Sequence, residues 1–301
     1  SPALSYPPGT LRLVAGAAAI PHPAKAATGG EDAFFVLGSS SSVSSFSSSI
    51  SSNFDNAEGL GAAGVADGVG GWAAEGVDAA LFARKLMEGA AASLLEQTSS
   101  ETSSETSSSS SASSSSVPIP CVRAALKAAH ASTAGIAGSS TAVVAAARPG
   151  GELAVAVLGD SGFRLLRSGK IALSSDPQQH SFNMPFQLCG PPPGESEEPG
   201  STGSSSFGDP PEAADLYEVE ARNGDLLILA TDGVLDNLWP EDIESVVAEA
   251  LEEFMEEGSF VIAPSKAAEA AEAAAGALAA AAARNGGDAS FRSPWVVEAA
   301  K

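Results

Sequence analysis

One stretch organises this chain: GVADGVGGW, residues 64–72. Small apolar residues run into a single carboxylate, Asp67, and glycines follow it immediately. An aspartate at the end of a buried strand, followed by a glycine turn, can direct its oxygens and a backbone carbonyl at a divalent cation. Because Asp-Gly is also a common turn dipeptide, a plain turn is the competing interpretation. The rest of the chain has to decide between the two.

The same pattern recurs further along the chain. An apolar run ends next to a glycine at Asp160 and again at Asp232, and Asp236 follows four residues later. Carboxylates at the ends of neighbouring strands converge, and oxygen-only ligand sets without His or Cys suit Mg²⁺ or Mn²⁺ rather than zinc. Such a centre activates water and holds a phosphoryl group, so the pattern favours metal-dependent hydrolysis of a phosphoester.

The composition limits the fold and the partners. With 301 residues, of which 44% are hydrophobic, the chain can build a globular core. Its formal net charge of -22 and its lack of a basic patch argue against nucleic acid and against anionic membranes. We therefore expect no nucleic-acid partner, and we expect a monomer.

Cysteine usage and hydropathy bear on the compartment. Cys121 and Cys189 lie far apart without metal-ligand spacing, which excludes a disulfide framework and fits a reducing compartment. No run of eighteen apolar residues occurs, so we expect no membrane span. The chain begins at Ser1 rather than Met, which is compatible with removal of a targeting peptide. We expect an intracellular protein, with the mitochondrion as a candidate compartment.

Hydrophobic periodicity predicts strands, two helices, more strands and two further helices. We predict strands at 11–20, 33–37, 141–147, 153–158, 163–167, 171–173, 216–220 and 226–230, and helices at 78–96, 121–131, 240–257 and 264–284. The strands between 141 and 173 are expected to form an antiparallel meander. Asn223-Gly224 predicts a hairpin that joins strands 216–220 and 226–230. This order suggests packed sheets with helices outside them.

Two serine-rich tracts interrupt the pattern, at about 39–52 and 99–116. Neither tract can bury enough apolar surface to offset the entropy lost on ordering. We predict that both are disordered insertions within one domain that spans residues 1–301, rather than domain boundaries.

Several motifs together resemble one protein family. The motifs are, in chain order, PHPAK (21–25) with TGGEDA (28–33), GVADGVGGW (64–72), LGDSGF (158–163), QQHSFNMPFQL (178–188), ATDGVLDN (230–237) and the dipeptide SP (293–294). In sequence and in order they resemble the metal-dependent type 2C serine/threonine protein phosphatases, the PPM family. The resemblance is greatest to the branch of mitochondrial phosphatases and their plant relatives. It covers almost the whole chain except the serine tracts.

The resemblance implies a fold and an activity. The implied fold is α+β, a four-layer α-β-β-α sandwich of two antiparallel sheets flanked by helices. The implied activity is hydrolysis of phosphoserine and phosphothreonine in phosphoprotein substrates by a metal-activated water. The implied cofactors are two Mg²⁺ or Mn²⁺ ions at one end of the sheets, with a third ion at a weaker position.

The resemblance also assigns roles to residues. Asp67 would bridge the two metal ions, the Gly68 carbonyl would ligate one of them, and Asp232 would ligate the other. Asp67 and Asp232 are therefore the predicted catalytic residues. Asp160 and Asp236, together with Asp232, match the third metal position.

Three further residues complete the predicted site. Glu31 and Asp32 would act on the metal ions mainly through bound waters. Lys25 lies near the position where many family members have a basic phosphate-binding residue, and a solvated lysine is the equally weighted alternative. His180 is interpreted as a loop histidine in preference to a proton-transfer residue, and Trp295 as a packing residue.

The chain departs from the family pattern in two places. Val69 replaces the histidine that many members have within the Asp-Gly-x-Gly-Gly motif, a feature that the similar branch shares. Relatives end with Gly-Gly-Lys-x-Asp-Asp and a final strand, whereas this sequence stops at Lys301 without that motif. Because one of those aspartates completes the metal centre, we expect a C-terminally incomplete phosphatase domain.

Two alternative functions remain open. An inactive pseudophosphatase would keep the fold and bind phosphoproteins without hydrolysing them. An unrelated divalent-cation hydrolase would act on small phosphoesters. Preference for phosphopeptides over small phosphate esters would favour the protein phosphatase over this second alternative.

Overall fold

A computed structural model describes residues 11, 13–37, 52–53, 61–104, 119–191, 208–255 and 262–301. Its strands are β1 Val14–Ala15, β2 Asp32–Leu37, β3 Ser52–Asn53, β4 Gly61–Asp67, β5 Ser139–Ser140, β6 Ala142–Ala147, β7 Glu152–Leu158, β8 Gly162–Arg167, β9 Lys170–Ser174, β10 Gln179–Ser181, β11 Met184–Pro185, β12 Leu188–Cys189, β13 Asp215–Glu220 and β14 Leu226–Ala230. Its α-helices are α1 Ala79–Ser104, α2 Ile119–Ser132, α3 Asp232–Leu235, α4 Pro240–Leu251, α5 Ala267–Gly287 and α6 Pro294–Ala299. The chain therefore has a mixed α/β fold.

The larger sheet has five strands in the order β13-β7-β6-β4-β2, and every neighbouring pair is antiparallel. Small residues let its strands and side chains approach closely, because a Cβ at Gly64 would overlap the ring of Phe35. The pairing of β2 with β4 places Asp32 directly opposite Asp67 at the end of the sheet. The register of this sheet therefore brings two predicted site residues together.

The smaller sheet has the order β14-β8-β9, and it corrects two predictions. The prediction of one antiparallel meander between residues 141 and 173 is wrong, because these strands divide between two sheets. Strand β7 pairs with β6 and β13, whereas β8 pairs with β9 and β14. The chain changes sheets at Gly159, whose φ of 102° favours glycine. The hairpin at Asn223-Gly224 is also wrong, because β13 and β14 belong to different sheets. A local turn signal does not specify which strands will pair.

The buried apolar residues form three clusters. The first joins β2, β4, β6 and β7 to helices α1 and α2. The second contains β6 and β7 residues of the larger sheet together with Phe163 and Leu165 of β8. The third joins Leu166 of β8 to residues of α4 and α5. Along β6, alternate residues enter the first and second clusters, as the two-residue period of a strand requires.

The predicted element boundaries differ from the structure in several places. The strand predicted at 11–20 is reduced to Val14–Ala15, and α4 ends at Leu251, where a 3₁₀ turn over Glu252–Phe254 follows. Helix α1 runs to Ser104, into the serine tract predicted to be disordered. Adding residues to an existing helix costs little, and serine is only a moderately poor helix former.

Most of both serine tracts, 39–51 and 105–116, lies outside the described residues, and so does most of the loop between 191 and 211. Ser52, at the edge of the first tract, is in strand β3, which pairs with β1. Within the described part of the chain, none of the helices combines the length and the apolar character needed to cross a membrane.

Candidate metal centre at the strand ends

Asp67 is fixed through its backbone at the end of β4. Its amide donates to Thr141 Oγ1 at 3.2 Å, and its carbonyl accepts from Ser140 Oγ at 2.8 Å and from the Thr141 amide at 3.0 Å. Thr141 Oγ1 also lies 2.6 Å from Ser161 Oγ. These bonds tie Asp67 to the start of β6 and to the loop after β7. The backbone that carries this carboxylate is therefore held at the shared end of β4, β6 and β7.

Asp232 and Asp236 come from the smaller sheet's side. Strand β14 ends at Ala230, Thr231 precedes helix α3, and Asp232 is the first residue of that helix. The Asp236 amide donates to the Asp232 carbonyl at 2.8 Å, which closes the turn. This short helix holds both carboxylates at the same end of the molecule as Asp67.

Asp160 follows β7 and reaches the same place. Gln179 Nε2 donates to its Oδ2 at 3.2 Å. Its other oxygen, Oδ1, is buried and has no hydrogen-bond partner among the described residues. An unsatisfied buried carboxylate oxygen costs free energy, so this atom points to a group that the protein itself does not supply.

The electrostatics show that the aspartates share one environment. Burial, followed by repulsion from Asp232, raises the pKa of Asp67 to about 9, of Asp32 to about 6 and of Asp236 to about 7. The same two causes raise the pKa of Asp160. Asp232 therefore repels each of these four carboxylates. Carboxyl groups crowded together in a buried site keep protons that isolated aspartates release.

Lys25 and Glu31 lie at the edge of this cluster and pair with each other. The positive charge of Lys25 acts to lower the pKa of Asp32, but burial and repulsion from Asp232 have larger effects, and the pKa is raised overall. The Gly68 amide donates to the Glu31 carbonyl at 3.2 Å, and a Cβ on Gly68 would lie 2.5 Å from the Ala79 carbonyl oxygen. Glycine is therefore required here for close approach of the backbone segments.

A cavity of about 1030 Å³ unites these residues, and its lining includes Lys25, Glu31, Asp32, Asp67, Asp160 and Asp232. The oxygen-only donors, their mutual repulsion and the orphaned Asp160 oxygen fit a divalent cation. The described residues nevertheless include no group of three or more His, Cys, Asp or Glu side chains already disposed to hold a metal ion. The residue types at the site suit a divalent cation, but the described side chains are not already arranged as a complete set of ligands.

The structure thus brings together Asp32, Asp67, Asp160, Asp232 and Asp236, and it places the Lys25–Glu31 pair beside them. The individual metal-binding and catalytic roles assigned to these residues, and to the Gly68 carbonyl, stay predictions. Sequence reasoning gave no role to Thr231, whose side chain hydrogen-bonds to Asp32, nor to the polar start of β6. Polar residues at 139–141, directly before an apolar strand, were the available signal.

Comparison with known proteins identifies the family. The sequence profile described as "Protein phosphatase 2C" matches residues 50–273, and this chain belongs to that family. It is 35% identical over 242 residues to "Probable protein phosphatase 2C 80" of Arabidopsis thaliana, covering 80% of this chain and 46% of that protein. The chain therefore spans about half the length of this curated relative.

A mitochondrial protein and a solved structure are also similar. Identity is 35% over 185 residues to "Protein phosphatase 2C homolog 7, mitochondrial" of Saccharomyces cerevisiae, covering 60% of this chain and 50% of that protein. The solved structure, "X-ray structure of the photosystem II phosphatase PBCP", has a TM-score of 0.66 and 30% identity, covering 96% of this chain and 86% of that one. The predicted resemblance to plant and mitochondrial members of the family is confirmed.

Proposed function

We propose that this chain is a metal-dependent protein phosphatase that hydrolyses phosphoserine and phosphothreonine in proteins. One observation carries the proposal: four aspartates from both sheets line one cavity, and Asp236 is repelled by two of them, in a chain of the protein phosphatase 2C family. A bound Mg²⁺ or Mn²⁺ would supply charge neutralisation and an activated water. Phosphoproteins are the proposed substrates because the named relatives are protein phosphatases.

The proposed ligands follow from the mutual positions of the carboxylates. Asp67 and Asp232 would hold the central ions, because the side chain of Asp67 is within hydrogen-bond reach of Asp232 and is repelled by it. Asp160 and Asp236, with Asp232, would hold a third ion. The Gly68 carbonyl would be a further ligand.

The edge of the cavity would complete the site. Asp32 and Glu31 would act through bound waters. Lys25 would bind the substrate phosphate, because it lines the cavity and its positive charge acts to lower the pKa of Asp32. Its ion pair with Glu31 competes with that role, so the proposed contribution of Lys25 is modest.

We also propose that the elements stack in four layers, α-β-β-α, within one phosphatase domain. The three apolar clusters support this arrangement: helices with the larger sheet, sheet with sheet, and the smaller sheet with helices. The proposed state is a monomer without a nucleic-acid partner, in keeping with the net charge of -22. The proposed location is intracellular, and the mitochondrion is the first compartment to test because a yeast relative is named as mitochondrial.

The proposed activity is tested by Mn²⁺-dependent release of phosphate from a phosphothreonine peptide. The test variant is Asp232→Asn, and the matched control is Asp215→Asn, which alters an exposed aspartate of β13. Metal-dependent release by the wild type and by the control, lost in Asp232→Asn, is the expected result. Folding of all three chains is checked by circular dichroism and thermal unfolding.

A binding-only role is the second candidate, since no three described side chains are already disposed to hold a metal ion. If the folded wild type binds phosphopeptide but releases no phosphate at any Mn²⁺ concentration, the chain is better described as an inactive pseudophosphatase. If it hydrolyses p-nitrophenyl phosphate but not phosphopeptides, a hydrolase of small phosphoesters is the better description.

A further inference from the structure

An exposed apolar surface borders the carboxylate cavity. This aromatic patch consists of Phe182, Met184, Trp295 and Val296, whose exposed fractions lie between 40% and 57%. The rings of Phe182 and Trp295 contact each other, with centroids 5.6 Å apart. Trp295, interpreted from the sequence as a packing residue, packs on Phe182, but 40% of its surface is exposed. Single exposed apolar residues are ordinary on a surface, whereas a group of them beside a cavity is a candidate binding surface.

The hairpin of β10 and β11 holds this patch in a fixed position. His180 stacks on Phe186 with ring centroids 4.2 Å apart, and its Nε2 lies 3.0 Å from Asp209 Oδ1. At the tip, Asn183 has a φ of 56°, and its Oδ1 accepts a hydrogen bond from Trp295 Nε1 at 3.3 Å. Because the hairpin is anchored, presenting its apolar side chains to a ligand requires little further ordering.

The same elements are attached directly to the predicted metal site. Gln179 of the hairpin donates to Asp160, and the Trp295 amide donates to the Asp236 carbonyl at 3.2 Å. Asn183 lies in the lining of the cavity that contains the aspartates. Asn183 therefore lies between the cavity and the aromatic patch, so a molecule seated in the cavity can extend past Asn183 onto the patch.

We propose that the aromatic patch binds an apolar side chain close to the phosphorylated residue of a peptide substrate, and so sets a sequence preference. This inference rests on the phosphatase activity proposed above. A phosphate group alone needs only the cavity, but an extended peptide advances about 3.3 Å per residue and must cross the rim. A peptide is favoured over a membrane surface, because the chain as a whole carries a formal net charge of -22, which opposes approach to anionic lipid.

The test compares phosphothreonine peptides in which Phe or Ser is placed in turn at each position from -3 to +3, with p-nitrophenyl phosphate as the small substrate. The wild type should hydrolyse the best Phe peptide with a kcat/KM at least about tenfold above its Ser counterpart, since burial of an aromatic side chain supplies that difference. Phe182→Ser and Trp295→Ala should reduce this ratio to about twofold or less. Phe182→Leu should retain most of it.

The control variant is Leu81→Ser, because Leu81 is an apolar residue of α1 with an exposed fraction of 48%. It should leave both the peptide ratio and the hydrolysis of p-nitrophenyl phosphate unchanged. Fluorescence anisotropy with labelled phosphonate peptides measures the same preference without turnover, and should give the same ranking of Phe over Ser.

The outcomes separate this inference from the activity on which it rests. Equal kcat/KM values for all peptides, in a chain that hydrolyses them, would overturn the role of the patch and leave the phosphatase standing. A Phe preference that survives in both Phe182→Ser and Trp295→Ala would also overturn it. Absence of hydrolysis of every substrate by the folded, Mn²⁺-loaded chain would overturn both proposals together.

Discussion

Two carboxylates of this chain, Asp225 and Asp67, have opposite surroundings. Asp225 accepts from Arg167 Nε at 2.8 Å and from Arg167 Nη2 at 2.6 Å, and also from the Arg222 amide at 2.8 Å. Burial opposes its ionisation, but the bonds from Arg167 prevail and its pKa is lowered. Asp67 has carboxylates as neighbours, and burial and repulsion raise its pKa to about 9.

The difference distinguishes a carboxylate with a structural role from one at the predicted functional site. At Asp225 the fold provides its own cation, in the bidentate geometry that arginine offers a carboxylate. At Asp67 it gathers further aspartates, and the nearby Lys25 is already paired with Glu31. The protein itself satisfies the carboxylate of Asp225, whereas the proposed partner of the cluster around Asp67 is a cation from outside.

The largest effect is expected from Asp67→Asn. Removing this charge should lower phosphatase activity by at least ~100-fold, because the site loses a carboxylate proposed to hold the metal ions that activate water. The metal-free variant should also unfold at a higher temperature than the metal-free wild type at about pH 7, because asparagine needs neither a buried charge nor the uptake of a proton on folding. Phosphate release and differential scanning fluorimetry measure the two effects. Full activity in a folded Asp67→Asn chain would contradict the functional role that distinguishes Asp67 from Asp225.

The opposite result is expected from Asp225→Asn. This change weakens the bidentate pair with Arg167, and should lower the melting temperature by about 4 °C while leaving kcat unchanged. Thermal unfolding and steady-state kinetics on the same preparation provide the test. A variant that loses activity without losing stability would show that Asp225 is not merely structural.

The stability of the metal-free chain should depend on pH. A carboxyl whose pKa is raised in the folded state binds more protons folded than unfolded, so its contribution is complete near pH 4 and is lost as the pH rises. With pKa values of about 6, 7 and 9 for Asp32, Asp236 and Asp67, the loss spans pH 4 to 9.

Between pH 5 and pH 8 in EDTA, the melting temperature should therefore fall by roughly 5 °C. The fall should be smaller in Asp67→Asn and smaller again for the wild type in Mn²⁺, because a bound cation takes the place of the protons. A melting temperature that rises over this interval in EDTA would contradict the clustering of these carboxylates.

The smallest effect is expected from Lys25→Met. The ammonium group lies beside the cavity but is already paired with Glu31, so its loss should raise KM for a phosphopeptide by about threefold with little change in kcat. Lys170→Met is the matched control, since Lys170 pairs with Glu244 at 2.8 Å on the surface. Identical KM values for the wild type and both variants would assign Lys25 to the solvated alternative.

The sequence predicted the carboxylate cluster better than it predicted the sheets. Asp67, Asp160 and Asp232 were found because each directly follows an apolar run, and strand ends are set by local residue type. The sheet change at Gly159 and the separation of β13 from β14 were missed, because strand partners depend on contacts distant in sequence. The local turn at Asn223-Gly224 is compatible with either arrangement.

Side-chain interactions between residues distant in sequence could also not be predicted. The anchoring of Asp67 by Ser140 and Thr141, and that of the hairpin by His180 and Asp209, join residues far apart in the chain. Their residue types are common in turns and strand starts, so nothing local marks them. The family resemblance supplied an order of motifs but not these bonds.

The central claim is that the carboxylate cluster takes a divalent cation from solution. Isothermal titration of Mn²⁺ at pH 7 tests it most directly, with the wild type, Asp67→Asn and Asp225→Asn compared at equal fractions folded. The account predicts saturable binding with proton release for the wild type and for Asp225→Asn, and binding weakened at least ~100-fold in Asp67→Asn. Equal binding by all three chains, or no binding by the folded wild type, would contradict it.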